Sequence, residues 1–173
     1  MNDLNLKQEF INAFGEEKWK EEQTLNFVQH AVTKVCMEWL GISPISIVFV
    51  EKDFNDIARY DISSKLILLN TKYKNDIFEL LDSAFHELEH HWQRIYIANN
   101  DTLKAKRWKY EFEHYKDATN PLENLTQELE IDAMAFAQVV MENEYGIKVE
   151  NPNPEIQEII DKYIISGKIL TDD

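Results

Sequence analysis

The sequence predicts an α+β fold, in which a small twisted sheet of about three strands packs on one long helix and further helices surround it. Apolar residues recur with helical periodicity over residues 16–40 and again from residue 76 onward, while short β-branched runs lie between residues 45 and 70. The 173 residues are the length of one ordinary domain. We therefore expect a single domain over residues 1–173, with a core of about 16–146 and a C-terminal helix and acidic tail over 152–173.

The first elements are predicted to be a helix and three short strands. Residues 16–40 are rich in helix formers with apolar residues at near-helical spacing, and Gly41 follows the run. Residues 45–50 and 65–70 are short, rich in β-branched and aliphatic residues and bounded by turn formers, which is typical of strands. Between them, residues 57–64 suit an edge strand followed by a hairpin turn.

The remainder of the chain is predicted to be helical. From Asp76 the apolar residues repeat at intervals of three and four: Ile77, Leu80, Leu81, Ala84, Phe85 and Leu88. A further helix is expected over residues 102–116. Another begins at Pro121, because proline suits the first helical position, and ends at Tyr145 before a glycine. A last amphipathic helix follows the stiff Asn-Pro-Asn-Pro segment that ends at Pro154.

Composition and charge exclude several classes of protein. The chain is 44% apolar and 29% charged, and no apolar run approaches the roughly 18 residues of a membrane span. A formal charge of -14 repels phosphate backbones, so nucleic acid is not an expected partner. The first 20 residues lack the pattern of a secretory signal, and Cys36 is the single cysteine. We expect a cytoplasmic protein with no membrane span; its oligomeric state stays open, and a monomer is compatible with the sequence.

The motif that carries chemistry is His86-Glu87-Leu88-Glu89-His90, which reads His-Glu-x-x-His. Residues four apart share one face of a helix, so His86 and His90 can bind one Zn²⁺ ion. Glu87 then lies beside the metal-activated water and can act as its general base. The expected chemistry is hydrolysis of an amide bond. Chance can also assemble this motif, but the apolar residues around the two histidines would partly bury them, which favours a metal site.

A catalytic zinc ion requires a third protein ligand and an open fourth position. A third histidine six residues after the second is absent, because Tyr96 occupies that place and Gln93 replaces the glycine that usually precedes it. A carboxylate must then come from elsewhere. The best candidate segment is residues 127–137, a predicted helix whose alanines would let it approach the motif helix closely.

Here the sequence resembles the ImmA/IrrE family of zinc metallopeptidases, in which His-Glu-x-x-His is followed by a helix reading roughly Glu-x-Glu-Ala-Asn-x-Phe-Ala. The matching segment is Glu130-Ile-Asp132-Ala133-Met134-Ala-Phe136-Ala137. The resemblance spans about residues 45–141 and implies a zincin-like fold with Glu130 as the third zinc ligand. Met134 departs from the family pattern, which usually has Asn or Asp there, so the residue that supports the ligands is in doubt.

A rival assignment follows the wider gluzincin pattern Glu-x-x-x-Asp, which Glu128 and Asp132 satisfy. In that pattern the Glu binds zinc and the Asp orients a ligating histidine. Glu130 is favoured, because its face of the helix carries smaller residues than the face of Glu128. A third alternative is His114, as in the SprT-like pattern of a later histidine.

Three other residues near the motif have predicted roles. His91 points about 100° away from His90 around the helix, so it is expected to face solvent or to support the ligands rather than to bind the same metal. Tyr110 and Tyr115 are candidates to stabilise the oxyanion that forms when water attacks the peptide carbonyl.

The expected function is that of a zinc-dependent endopeptidase acting on a protein or peptide substrate. An extended peptide could add to the exposed edge of the sheet through main-chain hydrogen bonds. The alternative, from a different class, is a non-catalytic zinc-containing regulatory or protein-interaction module of prokaryotic or phage type. Because no helix-turn-helix segment accompanies the motif, the sequence does not indicate direct control of DNA.

Overall fold

Three strands and six α-helices make up the part of the chain that the computed structural model describes, residues 21–51, 56–115 and 121–170. In chain order they are α1 (Glu21–Glu38), β1 (Ser46–Val50), β2 (Ala58–Asp61), β3 (Leu66–Asn70), a 3-10 turn (Thr71–Tyr73), α2 (Ile77–Asn99), α3 (Leu103–Glu113), α4 (Pro121–Leu125), α5 (Glu128–Tyr145) and α6 (Pro154–Ile165). The predicted α+β class with a three-stranded sheet is confirmed.

The sheet is mixed, with strand order β1-β3-β2. β1 runs parallel to the central strand β3, whereas β2 pairs with β3 in the antiparallel direction. The carbonyl of Ile57 accepts a hydrogen bond from the Asn70 N–H at 2.9 Å. In an antiparallel pair, residues that hydrogen-bond to the neighbouring strand alternate with residues that do not. The N–H and C=O groups of Arg59, two residues after Ile57, therefore also point towards β3. The backbone groups of Ala58 and Tyr60 are therefore directed to the outer edge of the sheet.

α2 is the long helix against which the sheet packs, and its buried face accounts for its position. Its N-terminus is capped by Asp76, whose side chain accepts a hydrogen bond from the Glu79 N–H at 3.3 Å. The fully buried apolar side chains of the helix lie in the main core between the sheet, α1 and α5: Leu80, Leu81, Ala84, Phe85 and Leu88. One end of this packed face carries the His-Glu-x-x-His motif.

The single helix predicted from Pro121 to Tyr145 is wrong, because the structure divides it into α4 and α5. Gln127 has an extended backbone, with φ -64° and ψ 143°, and α5 starts after it. The carboxylate of Glu111, on α3, accepts hydrogen bonds from the N–H groups of Glu128 at 3.1 Å and Leu129 at 2.9 Å. A side chain from another helix thus caps α5. Local sequence patterns cannot reveal such a cap.

The other boundaries lie close to the predictions. α1 ends at Glu38, before Gly41 in the left-handed region with φ 62°, and residues 16–20 of the predicted helix lie outside the described residues. α3 ends at Glu113, while Lys116 also lies outside them. Among the helices of the described residues, each is too short or too polar to cross a membrane.

Candidate metal centre

α2 presents the two histidines of the motif one turn apart on the same face. The Nε2 atoms of His86 and His90 lie 3.1 Å from each other, and the two rings are nearly perpendicular at 89°. Both side chains are partly exposed, while Phe85 and Leu88 beside them are fully buried. The histidines therefore stand at the border between the core and the surface, where a ligand can reach them.

Glu130 reaches the same point from α5. One of its carboxylate oxygens lies 3.3 Å from His86 Nε2 and the other 3.4 Å from His90 Nε2. Glu130 is only 4% exposed. Two buried alanines of α5, Ala133 and Ala137, keep that helix close to α2, as the sequence led us to expect.

The three side chains fit a metal ion. Ligand atoms about 2.0–2.1 Å from a tetrahedral zinc ion lie about 3.3–3.4 Å apart, which is close to the separations in this group. Two imidazoles with one carboxylate are also the ligand set of one class of catalytic zinc site. His86, His90 and Glu130 are the one group of three or more potential ligands found within residues 21–51, 56–115 and 121–170. The protein therefore has a His-His-Glu group, with a buried glutamate and two partly exposed histidines, that could bind a metal ion.

The pKa values of the group reflect the close approach of Glu130 when no metal is bound. Burial alone would lower the pKa of His90, but the hydrogen bond and the charge of Glu130 outweigh it and raise the pKa to about 9. Burial alone would raise the pKa of Glu130, but the hydrogen bonds of His86 and His90 lower it far more. Glu130 is therefore an anion over the whole physiological range, as a metal ligand must be.

Glu87 lies beside this group without belonging to it. Its carboxylate accepts a hydrogen bond from the Tyr60 N–H at 2.7 Å. This N–H is one of the groups that β2 directs to the outer edge of the sheet. The negative charge of Glu87 contributes to the raised pKa of His90, so the carboxylate is close to the imidazole. Glu87 is thus positioned to exchange a proton with a molecule bound at the group.

A chain of hydrogen bonds fixes the orientation of His90. Its Nδ1 lies 2.9 Å from Oε1 of Gln93, and the Gln93 amide donates to Asp132 and to the Leu129 carbonyl, both at 3.0 Å. The Tyr163 hydroxyl on α6 donates to the other oxygen of Asp132 at 2.8 Å. Because Gln93 accepts the proton of Nδ1, Nε2 is the nitrogen of His90 that faces Glu130, and it can offer its lone pair to a metal ion once its own proton has left.

Sequence reasoning missed this role of Gln93. It treated the residue only as a departure from another zinc motif, although a glutamine three residues after a ligating histidine lies on the same face of a helix. That spacing was the available signal. Asp132 does support a histidine of the group, but through Gln93 and in combination with Glu130 rather than with Glu128.

Behind the site lies a buried group of charges that the sequence did not predict. Lys104, 1% exposed, has its Nζ 3.9 Å from Asp132 and donates to the Lys168 carbonyl at 2.9 Å. Burial, together with the nearby charge of Asp132, raises the pKa of Glu89 well above its usual range. The neutral form of Glu89 is thereby favoured, and Lys104 faces Asp132.

The rival ligands lie outside the group. Glu128 is paired with Arg107 at 3.1 Å and is 26% exposed. His114 is exposed, and its Nδ1 lies 2.9 Å from the carbonyl of Tyr110 in its own helix. Neither side chain approaches His86 or His90.

The remaining candidates divide between the site and its surroundings. Tyr115 donates a hydrogen bond to Glu130 at 2.5 Å, whereas Tyr110 stacks on His114 away from the group. His91 is turned away from the potential ligands, and its Nδ1 lies 2.9 Å from the Tyr60 hydroxyl. Met134 packs towards α6, so it takes no part in supporting the ligands.

Comparison of this chain with protein-family models, with curated proteins and with solved structures found no match. The functional interpretation therefore depends on the residues themselves and on their geometry.

Our first prediction concerns the third ligand. Glu130→Gln should weaken zinc binding sharply, because a neutral amide replaces an anionic oxygen donor. Glu128→Gln is the matched control on the same helix and should bind zinc nearly as well as the original protein. Zinc affinity is measured by competition with a chromophoric chelator. The opposite ranking of the two variants would contradict the assignment of Glu130.

The second prediction concerns Gln93. Gln93→Leu keeps the approximate volume but removes the acceptor for His90 Nδ1, and zinc affinity should fall by about ten- to a hundredfold. Gln29→Leu is the control, because Gln29 also bonds the backbone, at Ile45 and Ile47, but on α1. It should lower the stability of the fold without changing the zinc affinity of the folded protein. Unchanged affinity in Gln93→Leu would rule out the orienting role.

The third prediction concerns pH. With a pKa of about 9, His90 carries a proton at neutral pH in the metal-free protein, and zinc must displace it. Apparent zinc affinity should therefore rise by about tenfold per pH unit between pH 7 and 8 from this proton alone, and level off above pH 9. In metal-free protein, the pH dependence of the histidine NMR resonances should give His90 a pKa near 9. The same measurement on Glu130→Gln should give His90 a lower pKa. An ordinary pKa for His90 in the original protein would contradict the geometry.

Proposed function

We propose that this protein is a zinc-dependent endopeptidase with a zincin-like architecture, similar to the ImmA/IrrE metallopeptidases, and that it cleaves a protein or peptide substrate. The observation that carries the proposal is the His86, His90 and Glu130 group, with the Glu87 carboxylate held beside it. Two histidines and a glutamate are typical ligands of catalytic zinc in peptidases. A glutamate next to the first histidine is the residue such enzymes use as general base.

The number of ligands favours catalysis over a purely structural role. Structural zinc sites are usually closed by four protein ligands, whereas catalytic sites keep one position for water or substrate. Three protein side chains converge within the described residues, and two of them are partly exposed. The alternative of a non-catalytic zinc module therefore has less support than an enzyme.

The proposed mechanism assigns a task to each side chain. When bound, a zinc ion would supply a Lewis acid that activates water at neutral pH and polarises the substrate carbonyl. Glu87 takes the proton of the attacking water and later delivers it to the leaving amine. The Tyr60 N–H holds one oxygen of Glu87, so the carboxylate keeps its direction while the other oxygen exchanges the proton.

Tyr115 is the residue best placed to stabilise the oxyanion. Burial and the charge of Glu130 raise the pKa of its phenol, so the hydroxyl remains protonated and can donate a hydrogen bond. In the present arrangement that hydrogen bond goes to Glu130. A hydroxyl at the rim of the site can turn from the ligand to the developing negative charge of the substrate.

The substrate is proposed to bind along the outer edge of the sheet, at β2. An extended peptide can pair with the outer edge of β2 at the outward-directed carbonyl of Tyr60, while the N–H of the same residue stays bound to Glu87. Main-chain pairing of this kind does not depend on the peptide sequence, so it suits an enzyme that cleaves unfolded or extended segments. We also propose a cytoplasmic location, because the single cysteine, Cys36, is a buried free thiol.

The fourth prediction tests the catalytic assignment. Glu87→Gln should retain zinc but hydrolyse a reduced, unfolded protein about 10²–10⁴-fold more slowly, because the amide cannot accept the proton. Glu79→Gln, an exposed change on the same helix, is the control and should keep full activity. Cleavage is followed by mass spectrometry with elemental analysis of bound zinc. Normal turnover in Glu87→Gln would exclude the mechanism, and zinc binding without any cleavage by the original protein would favour the non-catalytic module.

A further inference from the structure

Arg94 lies on the strip of α2 that continues from the proposed general base. Glu87, His91 and Arg94 are spaced by four and then three residues, so they share one face of the helix. Tyr60 of the edge strand borders this strip, since it contacts Glu87 through its N–H and His91 through its hydroxyl. The strip therefore leads away from the His-His-Glu group along α2, with Tyr60 on one side of it.

Phe112 of α3 contacts the same strip from the side of His90. Its ring centroid lies 6.3 Å from that of His90 and 3.9 Å from the guanidinium carbon of Arg94. The same ring thus contacts both the His-His-Glu group and the arginine. Arg94 is held in place by this contact, with its guanidinium over the ring.

The charge of Arg94 is not compensated by any carboxylate of the described residues. The Nε atom is buried and has no hydrogen-bond partner within residues 21–51, 56–115 and 121–170, although arginine usually satisfies its donors with a carboxylate or a carbonyl. Burial lowers the pKa of Arg94, and the Tyr60 phenol is the only described group that acts against this. A partly buried cation without an anion is costly, and a ligand carboxylate would remove that cost.

We propose that Arg94 binds an acidic side chain of the substrate, so that the enzyme selects peptides with Asp or Glu near the scissile bond. This inference rests on the proposed function. Arg94 follows His90 by four residues, or about 6 Å along the helix, and an extended peptide advances about 3.3 Å per residue. The acidic residue therefore lies about two positions from the scissile bond. Main-chain pairing at the sheet edge gives general affinity, and Arg94 gives the selectivity.

The test uses binding as well as cleavage. Fluorescein-labelled, end-blocked alanine-rich peptides carry one Glu, Gln or Lys at successive positions. They are titrated against zinc-loaded Glu87→Gln protein, which does not cleave them, and anisotropy is recorded. The peptide with Glu at the preferred position should bind about tenfold more tightly than its Gln counterpart. Adding Arg94→Gln should abolish the difference, and adding Arg94→Glu should shift the preference to Lys.

Matched variants separate selectivity from folding. Arg107→Gln removes an arginine that pairs with Glu128 and lies outside the strip, and it should leave the preference for Glu unchanged. Arg94→Lys keeps a cation and should retain part of the preference, even if Arg94→Gln proves unstable. Equal binding of Glu and Gln peptides, absence of any binding by the Glu peptides, or a preference that survives in Arg94→Gln would overturn the inference.

Cleavage distinguishes this inference from the proposed function. Zinc-loaded original protein is incubated with a mixture of unfolded proteins, and the cut sites are mapped by mass spectrometry. Enrichment of Asp and Glu at one position near the cuts, lost in Arg94→Gln, is the expected result. Cutting without acidic enrichment would sustain the peptidase and reject the subsite. Selective binding of acidic peptides without any cutting would sustain the subsite and reject the peptidase.

Discussion

The pairing of one buried carboxylate with two imidazoles is the interaction on which the rest of the structure depends. An ionised carboxylate as buried as Glu130 is costly unless opposite charges or hydrogen-bond donors surround it. His86 and His90 meet that requirement from α2, and only because the alanines of α5 allow the two helices to approach. α5 begins after Gln127, where Glu111 of α3 caps its first N–H groups. This start fixes the rotation of α5 about its own axis, so that Glu130 faces α2.

A second layer of polar contacts stabilises this pairing from behind. Gln93 connects His90 to Asp132, and Tyr163 connects Asp132 to α6. Two carboxyl groups, Glu89 and Asp132, are buried here, and burial together with the charge of Asp132 raises the pKa of Glu89, which favours its neutral form. Four helices therefore contribute to the orientation of a single imidazole, with Lys104 of α3 facing Asp132. Such a network is rigid as long as every member keeps its partner.

A structural feature could be predicted from the sequence when the residues that determine it are close together along the chain. The helical and strand periods are local, and they located the three strands and most of the helices within a few residues. The His-Glu-x-x-His spacing is local too, and it correctly singled out His86 and His90 as neighbours. Glu130 required the resemblance to a known motif. The break between α4 and α5 could not be predicted, because its cap comes from another helix, and the role of Gln93 depends on Asp132, which is distant in sequence.

The contact between Gln93 and Asp132 adds two positions to the sequence motif by which relatives of this protein could be sought. The familiar motif has three fixed positions, whereas the structure ties together His-Glu-x-x-His-x-x-Gln on one helix and Glu-x-Asp on another. Each additional fixed position makes a chance occurrence rarer. The two added residues are joined to the ligands by a physical contact, so a distant homologue that lost one would be expected to have replaced the other. A paired signature of this kind can detect relatives whose overall similarity has been lost.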